Sequence, residues 1–176
     1  ETIGKKRDGT PVQQDLGLSL LDSGELICTN RDITAQKQRE QELKQQRSQI
    51  RALFDNSPDG IVIHDADGAV LDVNETTADA LGYDRETLMS MNVAEFEAGI
   101  DRSELVAIWA EMEPNETLKV EGEHCRQNGE TFPVEVWVNK VDVDGSARYI
   151  AVSRDITDRK QREAELRRSR EFIEKA

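Results

Sequence analysis

Apolar positions change period twice between Leu53 and Thr157, and each change marks a boundary between kinds of element. Gly60-Ile61-Val62-Ile63-His64 reads as a short strand, Asp65-Ala66-Asp67-Gly68 as a turn of residues that tolerate left-handed backbone, and residues 69–73 as the hairpin partner. The period then lengthens. Asn74 offers a helix cap, residues 76–81 carry apolar side chains at helical spacing, and Gly82 ends the run. Asp84 predicts a cap for a turn through Leu88 and Met89. Asp101 with Glu104 has the form of a capping box, ahead of Leu105, Ile108, Trp109 and Met112 on one helical face. After Pro114 strict alternation returns. Residues 118–126 read as a strand, Asn128-Gly129 as a type I′ hairpin turn, and Phe132, Val134, Val136 and Val138 as alternate positions of the next strand. Asp144-Gly145 turns the chain into a last strand at 149–154. The expected order is two strands, three or four short helices, then three antiparallel strands.

The chain also repeats itself. Cys28-Thr29-Asn30-Arg31-Asp32-Ile33-Thr34 matches Ala151-Val152-Ser153-Arg154-Asp155-Ile156-Thr157, and Lys37-Gln38-Arg39-Glu40 returns as Lys160-Gln161-Arg162-Glu163. Upstream, residues 7–12 correspond loosely to 127–134, through Asp8-Gly9 and Asn128-Gly129 and through Pro11-Val12 and Pro133-Val134. The repeat predicts four parts: the last strands of one domain (1–34), a connecting helix (35–52), a complete domain (53–157) and the start of a second connecting helix (158–176). Some 35 residues cannot close a core of their own, so the first part is expected to be loosely held or to borrow a surface.

Charge narrows the function classes. The chain carries a net charge of −13, and from Leu53 to Thr157 there are 23 Asp and Glu against 7 Lys and Arg. Direct nucleic-acid binding by this stretch is therefore not expected, since phosphate contacts need a basic patch. An acidic shell of this kind suits a protein from a salt-loving source, with an ordinary acidic domain as the alternative. Cys28 and Cys125 stand far apart with no metal-ligand spacing, which favours a reducing, cytoplasmic setting over a disulfide framework. No apolar run is long enough to predict membrane insertion. Neither a phosphate-cradling loop, a phospho-accepting histidine segment nor a nucleophile-base arrangement is recognisable, so no catalytic residue is assigned.

Taken together, Asn-Ser-Pro-Asp-Gly at 56–60, Asp-Val-Asn at 72–74, Leu-Gly-Tyr at 81–83, Asn-Gly-Glu at 128–130 and Arg-Asp-Ile-Thr at 154–157 resemble the PAS sensory domain family. The resemblance covers residues 53–157 fully and 1–34 as a C-terminal half. It implies an α+β fold, a five-stranded antiparallel sheet with short helices across one face, enclosing a small-molecule pocket and flanked by signalling helices. It further implies residence, as a homodimer, in a histidine kinase, transducer or gene regulator, and with the acidic shell a haloarchaeal sensor. Residues 170–173 resemble the lead-in to another such domain, Ile173 repeating the place of Ile50.

Several residues then become candidates. Asp155 and Thr157, with their repeats Asp32 and Thr34, are expected to fix the angle at which a helix leaves the sheet and so to relay signal; Thr157 and Thr34 suit helix N-caps with Ile156 and Ile33 as staples. Phe96, Trp109, Val134 and Val136 are candidate pocket residues, lining a cavity or filling it. Trp137 has the opposite parity to its valine neighbours and is expected to emerge on the outer face, as ordinary scatter or as an interface with a helix or second subunit. Leu43 and Ile50, seven apart, are candidate contacts of a marginal coiled coil, a solvated spacer being the alternative. No particular cofactor follows. Flavin-adduct relatives carry an Asn-Cys-Arg-Phe-Leu-Gln segment that is missing here, haem-binding relatives place histidine on the long helix, and His64 and His124 read as ordinary strand histidines. A ligand-free dimerisation or spacer module is the other reading of function.

Overall fold

The computed structural model describes residues 2–174, with side chains as far as Arg170. Glu1, Lys175, Ala176 and the side chains of 171–174, the positions read as a lead-in to a further domain among them, lie outside the described residues. The chain divides into two compact units, 1–52 and 53–176.

In the first unit, β1 (Thr2–Lys5), β2 (Pro11–Leu20) and β3 (Leu26–Asp32) form an antiparallel sheet in that order and run into α1 (Thr34–Asp55). Three strands cannot enclose a core. Val12 and Ile33 are the buried hydrophobic side chains among the described residues here, whereas Leu18, Leu20 and Leu26 are between 65 and 73% exposed. These leucines lie open on the sheet.

The second unit holds β4 (Gly60–His64), β5 (Val70–Val73), α2 (Glu75–Leu81), α3 (Arg85–Leu88), a 3₁₀ turn (Val93–Glu95), β6 (Glu97–Ala98), α4 (Arg102–Glu111), β7 (Thr117–Cys125), β8 (Thr131–Val143), β9 (Ser146–Asp155) and α5 (Thr157–Glu174). Its sheet is antiparallel, in the order β5-β4-β9-β8-β7-β6, so the first hairpin pairs with the last strand. Five of these strands were expected. The sixth, β6, is two residues long and adds to the edge of β7 through Glu97 and Ala98. Inward-facing Val62, Val134, Val136, Val138 and Tyr149 pack against Leu81, Leu88, Phe96 and Trp109 from the helical side.

Local chemistry sets the helix boundaries. Asn74, Asp84 and Asp101 cap α2, α3 and α4 as their sequence contexts predict, and Asp101 with Glu104 completes the capping box. Gly82, at φ 78°, ends α2 in the left-handed conformation that a side chain would disfavour. The turns correct one expectation. A type I′ turn needs left-handed backbone at both central residues, and at 128–129 only Gly129 has it. Asn128 instead accepts the Glu130 amide on its side chain at 2.9 Å, holding a wider loop closed by Arg126 N to Glu130 O. The paired left-handed residues are Asp144 and Gly145, which join Val143 to Ser146.

Candidate functional site

Two features of the second unit bear on function: a cavity under the sheet, and the joint where β9 becomes α5. The cavity, of about 340 Å³, lies between α4 and the inner face of the sheet; Trp109, Leu105, Leu118, Val136 and Val138 supply apolar walls. Ile108 and Val120, both more than a third exposed, mark its open side. At its inner end stands His64, fully buried on β4, its ring 4.3 Å from that of Trp109 and stacked at 5.2 Å on Tyr149. His64 Nδ1 donates to the Asp65 carbonyl at 2.8 Å, which leaves Nε2 as the acceptor, and Nε2 has no hydrogen-bond partner. Burial lowers the His64 pKa below the ordinary histidine value, against smaller opposing contributions from Asp65 and Glu97, which favours the neutral ring. Glu97 also faces the cavity, with its Oε1 3.1 Å from His124 Nε2.

The four candidate pocket residues divide. Trp109 and Val136 line this cavity. Val134 does not: it lies under α2 in a separate space of about 70 Å³, shared with Leu81, His124 and Asp155. Phe96 lines neither space, because it closes the 3₁₀ turn and turns its ring edge-on to His124, which meets Phe132 in the same way. His64 is a packed strand histidine. Its inward parity with Gly60 and Val62 was the available signal.

At the joint, Asp155 Oδ1 accepts the Thr157 amide at 2.8 Å and its Oδ2 lies 3.7 Å from Arg126. Arg126 also donates to the Ala80 carbonyl near the end of α2 and lies over the Phe132 ring at 3.9 Å. One guanidinium thus touches a helix on the cavity side of the sheet and the carboxylate at the root of the exit helix. The first unit repeats the aspartate, threonine amide and cation of this joint. Asp32 Oδ1 accepts the Thr34 amide at 3.0 Å and its Oδ2 lies 3.4 Å from Lys6. The Thr34 hydrogen bonds and Lys6 hold the Asp32 carboxyl below the usual carboxylate range. Lys6 N to Thr10 O and Gly9 N to Lys6 O reproduce Arg126 N to Glu130 O and Gly129 N to Arg126 O.

Two expectations shift in register. The carbonyls of Ile33 and Ile156 accept the first helical bonds, from Lys37 and Lys160, so the isoleucines are the N-caps and Thr34 and Thr157 begin the helices. A side-chain cap at those positions comes from aspartate two residues earlier. Upstream, the shared loop places Val12 opposite Gly4 as Phe132 lies opposite His124, so Val12 corresponds to Phe132 rather than to Val134. By the same count Gln13 corresponds to Pro133, and here the joints differ. The Gln13 amide donates to Thr34 Oγ1 at 3.0 Å, a bond that proline cannot make. The root of α5 is held by charge as well: Arg159 reaches Glu121 at 2.6 Å and Glu135 at 3.1 Å, and Lys160 reaches Glu121 at 2.5 Å.

The candidate interface residues lie at the surface. Leu43 and Ile50 on α1 are 55 and 67% exposed. Trp137 faces outward as its parity requires, yet it is half-buried between two cations, Lys119 at 5.2 Å and Arg154 at 5.4 Å from the ring centre. Arg154 is itself held by Asp59 through bonds of 2.9 and 2.7 Å. Cys28 is exposed and Cys125 half-buried, both as free thiols.

A family model described as the PAS fold matches residues 48–156. The chain belongs to the PAS family. As a PAS protein it resembles the PAS domain of an HTR-like protein from Haloarcula marismortui, at 36% identity and a TM-score of 0.66, over 68% of this chain and 99% of that one. A domain of a sensory box sensor histidine kinase/response regulator from Geobacter sulfurreducens matches at 32% identity and 0.55, over 64 and 96% of the two chains. Among curated proteins, the methyl sulfide methyltransferase-associated sensor of Methanosarcina acetivorans is 34% identical over 134 residues. Sporulation kinase E of Bacillus subtilis is 27% identical over 141. The PAS chain spans only 13 and 19% of the lengths of those two relatives. Its sheet and short helices are thereby those of a PAS sensory domain of signalling proteins, and no helix among the described residues is long and apolar enough to cross a membrane.

Proposed function

We propose that the chain is a sensory and signal-relay module of a multidomain signal transduction protein. Residues 53–157 bind a small ligand and pass its state into α5; residues 1–34 are the last strands of a preceding PAS domain that feeds α1. The observation that carries this reading is the duplicated joint. Two sheets hand the chain to two helices through the same aspartate, the same threonine amide and a cation just past the end of the strand two places away in the sheet. A shared exit geometry is what serial relay requires, because each helix angle is then set by the sheet before it. The Arg126 contact to the Ala80 carbonyl supplies a path from the cavity-side helices to Asp155.

The module acts by binding; catalysis belongs to other parts of the parent, for which the relatives support a sensor kinase or related sensor. Exposed Leu43 and Ile50 support self-association through α1, with Trp137 as a second contact. The same exposed residues favour the alternative of a ligand-free dimerisation module, which would leave the joint without a signal to relay. Replacing Asp155 by alanine in the parent protein separates the two. The relay reading expects the output to lose its response to stimulus, by tenfold or more, while circular dichroism and the unfolding midpoint of the domain stay near wild type. An unchanged response in the folded variant would count against relay through this residue.

A further inference from the structure

The inner face of the sheet turns one acidic side chain toward the cavity. Glu97 on β6 stands opposite His124 on β7, and His124, Gly122 and Val120 share a face with Phe132, Val134 and Val136, their partners on β8. The carboxylate of Glu97 lies above that face, its Oε2 3.9 Å from the Cβ position of Gly122, and both residues line the cavity. Oε1 accepts the His124 Nε2 proton at 3.1 Å. Among the described residues Oε2 accepts no hydrogen bond; unlike Nε2 of His64, it is not sealed from its surroundings, and the side chain keeps 16% of its surface. His124 needs only the proton of its neutral ring to make its bond, so the carboxylate retains a charge to offer. That charge is felt inside the fold, where it opposes the lowering of the His64 pKa.

The surroundings agree in sign. No lysine or arginine lines the cavity among the described residues. Glu121, its other acidic neighbour, points by parity to the outer face, where Arg159 and Lys160 hold it. A shallower groove that shares Gly99, Ile100 and Ile108 with the cavity adds Glu104 and Glu111 from α4. Charge of one sign along an approach raises the local concentration of the opposite ion. An anion would lose its hydration there with no counter-charge.

We infer that the cavity selects a small organic cation, an apolar body seated against Trp109 and Val136 with one protonated amine donating to Oε2 of Glu97. This rests on reading the cavity as a ligand site and adds the class of ligand it takes. At protein-like packing density a volume of about 340 Å³ admits on the order of ten to fifteen heavy atoms, the size of one ring with a short aminoalkyl chain. A hydrogen bond from an ammonium to a carboxylate is roughly twice as strong as a neutral one, so an amine outbids an alcohol of the same shape.

The test uses the full chain at about pH 8, above the ordinary histidine range, and in about 0.15 M salt to screen charges scattered over the surface. Three compounds of one shape serve as probes: 3-phenylpropylamine, 3-phenyl-1-propanol and 3-phenylpropanoate. Calorimetry gives their affinities, and nuclear Overhauser contacts from the phenyl ring to Trp109 give their location. The amine is expected to bind about tenfold more tightly than the alcohol, with the propanoate weakest. In Glu97→Gln, which can still accept the His124 proton, the amine is expected to fall to within about twofold of the alcohol, whose own affinity stays unchanged. Equal affinity of amine and alcohol, a propanoate as tight as the amine, or an amine preference that survives Glu97→Gln would each overturn the cation rule; phenyl contacts to Trp109 would then leave ligand binding standing. If none of the three probes touches Trp109 at its solubility limit, the ligand-site reading falls and this inference with it. Should Glu97→Gln not fold, the wild-type affinity order decides, together with contacts from the terminal methylene of the amine to the Glu97 side chain, whose absence would overturn the assignment.

Discussion

Asn74 shows how much one residue can carry. Its side-chain oxygen accepts the Ile61 and Thr77 amides at 2.8 and 3.0 Å, and its amide donates to the carbonyls of Phe54 and Asp59 at 3.1 and 3.0 Å. Asn74→Ala removes the cap of α2 and strands buried groups on three segments, so a loss of about 3 kcal/mol in unfolding free energy is expected from chemical denaturation. The sequence announced the cap and could not announce the other bonds, whose partners lie 13 to 20 residues away. His64 is a second case. Because burial lowers its pKa, the unfolded chain takes up a proton as pH falls through about 6.5 and the folded chain does not. Stability is therefore expected to be full above that pH and to decline as pH falls toward the lowered folded value. His64→Phe should flatten that slope between pH 7.5 and 5.5 in urea titrations, and an unchanged slope would assign the acid sensitivity elsewhere.

At the level of elements, period and punctuation foretold the strands and capped helices well. The part that stayed hidden was set by pairing. β6 has two residues and no alternation of its own; it is a strand because β7 offers an open edge. The 3₁₀ turn carried a readable signal in Asn92 and Glu95, which form a reciprocal capping box, but no apolar period followed to draw attention to it. Trp137 was legible by parity alone, and its cation neighbours were not, since Lys119 and Arg154 come from different strands. For α1, exposed Leu43 and Ile50 on a helix with no buried residue predict interchain crosslinks between cysteines placed at these positions in the full-length parent. Absence of an interchain product would make α1 a solvated spacer.

For the whole molecule, the excess of acidic residues implies self-repulsion that dissolved salt relieves, so the unfolding midpoint is expected to rise between 0.1 and 2 M potassium chloride. No rise would point to an ordinary acidic domain. The joints respond to the same salt in a different sense. Pro133 denies the Thr157 hydroxyl the amide that Thr34 receives from Gln13, and the root of α5 relies on Arg159 and Lys160 against Glu121 and Glu135. Ion pairs at the surface weaken as the screening length falls to about 3 Å at 1 M salt, whereas a backbone-to-hydroxyl bond does not. Ionic strength is therefore expected to soften the root of α5 more than the root of α1, so that salt alone would make the two exits unequal.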